Sequence, residues 1–138
     1  MPTGVQIFLQ VLCHLVGDYP LQSSWMANNK TKSWEVAAVH SFVYMIPFLL
    51  ACEVLPLSLL AALVMFGTHV VIDRLRIAKY IAFASNFLSP RSEWKPWSEC
   101  KGTGYHKDTP PFMAVWLMVI IDQILHLAIN FLSLTYLS

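Results

Sequence analysis

Apolar residues gather in four stretches of this chain, parted by short polar or aromatic-rich connections. The first stretch, Gly4 to Asp18, is the shortest and the most polar. The second runs from about Trp34 to Val54, with Ser33 placed to cap a helix and Pro47 placed to kink it. The third runs from about Leu57 to Tyr80, just after Pro56, and the fourth from about Pro111 to Leu137, with proline at its start. A helix needs about 20 apolar residues to cross a bilayer, so these last three stretches predict transmembrane helices. Gly4 to Asp18 is marginal as an isolated span and fits a buried or re-entrant helix inside a bundle. The pattern as a whole predicts one all-α integral membrane domain over residues 1–138, a four-helix bundle with an interfacial loop before the last helix.

Composition supports the bilayer as solvent. Of 138 residues, 57 % are hydrophobic and 12 % charged, more apolar surface than a soluble domain of this size can hide. The net charge of +1, with no charged tail, gives no reason to expect nucleic acid as a partner; membrane lipids are the expected one, and a homo-oligomer stays open. Cys13, Cys52 and Cys100 are far apart and form no CxxC pair, which argues against a disulfide framework and a thiolate metal site. The N-terminus has no basic region and no small-residue cleavage site, so it does not read as a removed signal peptide.

Lys30 and Lys32 lie between the second-stretch helix and the one before it. Arg74, Arg76, Lys79, Arg91, Lys95, Lys101 and Lys107 lie near or between the last two, and the Glu53–Leu57 turn has no basic residue. The positive-inside rule then predicts an inner (cytoplasmic) membrane protein with both basic loops cytoplasmic. The connection from Ala82 to Pro110 carries Phe83, Phe87, Trp94, Trp97 and Tyr105, amphipathic aromatics that settle at headgroup level.

One spacing recurs against this apolar background. His14 and Asp18 in HLVGD, and His69 and Asp73 in THVVIDRLR, stand four residues apart, and Asp122 and His126 in DQILH repeat the step in reverse. Residues four apart share a helix face, so each pair aims two ligand-type groups in one direction. His40 in AAVHSFVY adds an imidazole from the remaining helix. At 1.5 Å per residue, His40 lies about 9 Å from the start of its helix, and Asp73 and His69 about 9 and 15 Å from the end of theirs. Convergence is therefore possible in the cytoplasmic half of the membrane, with His126 the outlier by one turn.

A lone histidine on an apolar helix is most often a satisfied core residue. Intramembrane Asp is harder to attribute to packing, because insertion at mid-helix costs about 2.5–3.5 kcal/mol. The bland alternatives are a hydrogen-bonded network that orders the bundle, and, for Asp73, an exposed ion pair with Arg74 or Arg76. Four imidazoles and three carboxylates without thiolate suit zinc, manganese or iron, and exceed what one tetrahedral ion takes, so two ions bridged by a carboxylate are expected. Such a pair clamps a phosphoryl or acyl oxygen and delivers hydroxide at neutral pH. Glu35 is the candidate general base, against its reading as a solvated carboxylate at a helix N-terminus. Arg74, Arg76 and Lys79 are candidates for a phosphate headgroup, although the positive-inside bias alone accounts for them. Gln6, Gln10 and Asn130 extend the same stripes and serve either as outer partners of ligands or as helix-packing groups.

HLVGDYPLQ followed by WM and NK, then VHSFVY, GTHVVIDRLR, TGY with PP, and DQILH resemble the domain-of-unknown-function 3307 family of small bacterial and phage membrane proteins. The resemblance covers nearly the whole chain and implies no established activity. More distantly, repeated HxxxD on helices is similar to zinc-dependent phospholipases C and single-strand nucleases, and to membrane-bound metal-dependent hydrolases of the SOS response. Those relatives imply phosphoester hydrolysis, with His14, Asp18, His40, His69, Asp73, Asp122 and His126 as metal ligands. The expected function is a membrane-embedded metal-dependent hydrolase of a lipid or lipid-linked phosphate. A proton or divalent-ion transporter built on the same groups stays open, as does a phage-type membrane protein that binds a host partner.

Overall fold

Thr3 and Gln6 start the first helix reciprocally. The Thr3 hydroxyl accepts from the Gln6 backbone N–H and the Gln6 side chain accepts from that of Thr3, which opens α1, Gly4–Asp18. Ser23 caps a single short helix, α2, Ser24–Asn29, and Ser33 caps α3, Trp34–Leu50, which runs through Pro47 and stops three residues later. Ser58 accepts from Ala61 N–H at the start of α4, Leu59–Leu75, and donates to the Leu137 carbonyl. Next come α5, Ala78–Ala84, three single 3-10 turns, and α6, Pro111–Tyr136. This computed structural model describes residues 2–138, and among them there is no strand.

The chain folds as two units. Residues 2–75 with 126–138 form the first, where α1, α3, α4 and the C-terminal half of α6 surround a core of Cys13, Tyr44, Met45, Phe48, Met65 and Leu134. Gly17 lets α1 lie directly on α3: a Cβ there would stand 2.9 Å from the Tyr44 carbonyl oxygen.

Residues 76–125 form the second unit. Its aromatics pack on one another, Phe83 against Trp97 (ring centroids 5.1 Å apart) and Phe87 against Trp94 (4.8 Å), both edge to face. Gly104 has φ 87°, and its N–H donates to the Cys100 carbonyl. A Cβ at that position would lie 2.0 Å from the Lys79 carbonyl oxygen, so the TGY turn admits no side chain there.

Two expectations from the apolar pattern need correction. The stretch from Leu57 to Tyr80 is not one helix. Arg76 takes a left-handed φ of 50°, which ends the hydrogen-bond ladder of α4 before α5 begins. No glycine or proline marks that break. Three spans were also expected by length, and one qualifies. α6 has 26 residues and a mean hydropathy of 2.0 over its best window, only 17 % of it buried. α3 and α4 have 17 residues each, about 25 Å of rise against about 30 Å of hydrocarbon. Among the described residues, one helix is thus long and apolar enough to cross a membrane.

The second unit also carries a pH-dependent contact. His106 Nε2 donates to Glu99 at 2.5 Å and Lys107 lies 3.6 Å away. The hydrogen bond, helped by the Lys107 charge, holds the Glu99 carboxyl below its ordinary range. A depressed carboxyl stabilises above its unfolded value and loses that contribution as pH falls through the folded one. Glu99→Gln should therefore melt below wild type near about pH 7, and the difference should shrink as pH falls below the ordinary carboxyl range of about 4. Thermal unfolding across that pH range checks this.

Candidate metal centre

The i, i+4 spacing does in the folded chain what it predicts on a helical net. His14 and Asp18 share the inner face of α1, and His69 and Asp73 that of α4; His40 faces them from α3 and His126 from α6. All six are buried, none more than 4 % exposed. They meet where apolar packing would otherwise continue.

Four atoms converge tightly. His40 Nε2 lies 3.3 Å from Asp18 Oδ1, 3.2 Å from Asp73 Oδ2 and 3.1 Å from His69 Nε2. His69 Nε2 lies 3.4 Å from Asp18 Oδ1 and 3.2 Å from Asp73 Oδ2. Imidazole and carboxylate bonds to zinc of about 2.0–2.1 Å place neighbouring ligands of a tetrahedron about 3.3–3.4 Å apart. Each of these five spacings is close to such an edge, while Asp18 and Asp73 fall in two separate three-residue groups that share His69. A hydrogen-bond network would pair its members off. Here one Nε2, with at most one proton, faces four electronegative neighbours, counting Lys30 Nζ at 3.3 Å. Buried donors crowded in this way could hold a metal ion.

The second oxygens of the same carboxylates face the remaining imidazoles. Asp18 Oδ2 is 3.7 Å from His14 Nε2, and Asp73 Oδ1 is 4.0 Å from His126 Nε2. The His14 and His126 rings stack, centroids 5.9 Å apart. His69 thus belongs to two groups that could hold a metal ion, one with Asp18 and His40 and one with Asp73 and His126.

Tyr44 and Lys30 join the centre without having been marked by sequence. The Tyr44 hydroxyl sits 2.9 Å from His14 Nδ1, accepts from Asn130 Nδ2 at 2.6 Å, and its ring stacks on His69 at 3.8 Å. Tyr44 follows His40 by four residues, the very step that singled out the other pairs, and that signal could have found it. Lys30 Nζ reaches Asp73 Oδ2 at 2.9 Å. Nothing in NKTK distinguishes it from Lys32.

The other candidates divide. His126, the outlier by depth, joins the cluster. Asp122, one turn earlier on α6, falls in the second unit, as do Arg76 and Lys79. Arg74 donates to the Thr31 carbonyl at 2.9 Å and stacks over Trp34, so its guanidinium is committed to the α2–α3 connection. The cation beside Asp73 is thus Lys30 and the pair is buried, in place of the exposed pair with Arg74 or Arg76. Glu35 is exposed in the first turn of α3, where the helix N-terminus favours a carboxylate. Gln6 donates to the Val54 carbonyl, a packing bond between α1 and the turn after α3, whereas Asn130 reaches His14 through Tyr44 and can orient it.

Neither the curated proteins nor the solved structures give a match. Residues 7–137 match the family described as "Protein of unknown function (DUF3307)", and on that match, which takes in every member of the cluster, the chain belongs to this family.

Proposed function

We propose that the chain is a membrane-embedded hydrolase that uses two divalent ions, zinc first among them, to cleave a phosphoester. His40, His69, Asp18 and Asp73 would hold one ion, and His14 and His126 with the same two aspartates would hold the other. The single observation that carries this reading is the crowding of four buried donors, with the Nε2 atoms of His40 and His69 each within 3.4 Å of a carboxylate oxygen from both Asp18 and Asp73. Two dications held by these residues would supply Lewis-acid activation of a phosphoryl oxygen and of water at neutral pH.

The bilayer part of the proposal rests on what is exposed and on which polar groups are buried beside the apolar core. Phe8, Leu50, Leu59, Phe112 and Trp116 are exposed, Leu50 to 81 %, while His14, His40, His69, His126, Asp18 and Asp73 are buried. In water such a surface would drive association. In lipid it is the expected exterior, with ionisable groups turned inward at a functional site. Basic residues of both connections then face the cytoplasm, and the substrate is a lipid or lipid-linked phosphate of the inner leaflet.

Detergent-purified protein should carry zinc, manganese or iron near two per chain. In vesicles it should cleave a phosphodiester or phospholipid in a chelator-sensitive way without moving protons or divalent ions. Metal-free protein after gentle purification overturns the reading, and ion flux without product replaces it with transport.

A further inference from the structure

Lys30 lies just beyond α2, and its stem carries the ammonium into the cluster, leaving the side chain 16 % exposed. Nζ stands 2.9 Å from Asp73 Oδ2 and 3.3 Å from His40 Nε2, two of the four converging donors. An ammonium and a dication at neighbouring points of one carboxylate repel strongly where water does not screen them. A metal ion drawn to these donors therefore has to displace Lys30. The displaced group remains tethered next to the ion on a flexible four-carbon stem, a compact charge of the kind that binds phosphate. Arg74, which follows Asp73 in the chain, is held by the Thr31 carbonyl.

On the metal-centre reading above, we propose that Lys30 yields Asp73 to the metal and then holds an anionic oxygen of the phosphoryl group bound there. Lys30 is in this account both the resident cation of the cluster and a substrate-binding residue. The same chemistry serves free phosphate and a lipid phosphate headgroup.

The test compares the full-length wild type in detergent with Lys30→Met and with Lys32→Met, an equal loss of charge at an exposed lysine two residues away. Zinc affinity is measured by competition with a chelating dye. Inorganic phosphate and a short-chain phosphatidic acid are then titrated separately into zinc-loaded protein. Lys30→Met should bind zinc at least about tenfold more tightly, since a competing cation is gone, and the phosphoryl ligand at least about tenfold more weakly. Lys32→Met should change neither.

A Lys30-dependent response to phosphatidic acid alone assigns the site to a headgroup, and a response to both ligands assigns it to the phosphoryl group itself. Lys30→Gln, which keeps length and a donor but no charge, is read in parallel in case the methionine variant does not fold. Wild-type zinc and phosphate affinities in folded Lys30 variants overturn the proposal while leaving the metal centre standing. A wild-type protein that takes up no zinc, manganese or iron overturns both.

Discussion

Asp73→Asn is expected to abolish metal uptake and activity together while the protein stays folded. Asn keeps the shape of the side chain and much of its hydrogen bonding but removes the anion a dication requires. Asp73 is central to the cluster: Oδ2 faces His40 and His69, each at 3.2 Å, and Oδ1 faces His126. Losing an outer partner of a ligand typically costs 10- to 100-fold in metal affinity, so losing a ligand itself should cost at least about 100-fold. Stability should not fall in parallel. A buried carboxylate is costly to desolvate, and Lys30, left without its partner, can extend towards solvent. His69→Ala should lose metal in the same way, and Lys95→Ala should not. If Asp73 only pairs with Lys30 in an ordered polar network, all three variants will carry metal as the wild type does. Metal per protein, measured beside the melting temperature, separates the two cases.

The centre was legible because helices have a fixed period. His14 with Asp18 and His69 with Asp73 each define a face before any tertiary contact is known. An apolar run makes polar residues on such a face stand out. The same rule reached no further than single helices. It could not bring Lys30 into the cluster, since that lysine arrives from a connection whose path depends on Arg74 gripping the Thr31 carbonyl. It also ranked His126 as too deep, because counting rise from Pro111 assumes that every helix starts at one common level. The break at Arg76 failed for a different reason. Helix ends are usually written in glycine, proline or a capping side chain, and a left-handed arginine is written in none of them. The apolar count from Leu57 to Tyr80 therefore ran on through a real boundary. Gly17 lay in plain sight within HLVGD, but its meaning is tertiary: it shows only once Tyr44 lies across it.

That contact yields the second large effect. Gly17→Ala should lower both stability and metal affinity although residue 17 is no ligand. A methyl group there meets the Tyr44 carbonyl oxygen at 2.9 Å and Cα at 3.1 Å, as well as the ring at 2.7 Å. The ring can turn, but the backbone atoms of α3 cannot yield alone, so α1 and α3 must part. Those helices carry His14 and Asp18 on one side and His40 and Tyr44 on the other, and Tyr44 holds His14 Nδ1. The donors that α1 and α3 bring together then move apart. Overpacking of this kind costs about 1–3 kcal/mol, and the misplaced ligands should weaken zinc at least about tenfold. Gly67→Ala in α4 is the matching control. Its new methyl group meets nothing within 4 Å, and removing glycine from a helix interior should raise stability by about 0.5–1 kcal/mol with metal affinity unchanged. Denaturation and zinc competition on both variants decide the matter. If Gly17→Ala binds zinc as the wild type does, the approach of α1 to α3 does not set the geometry of the centre, and the ligands are held by α4 and α6 instead.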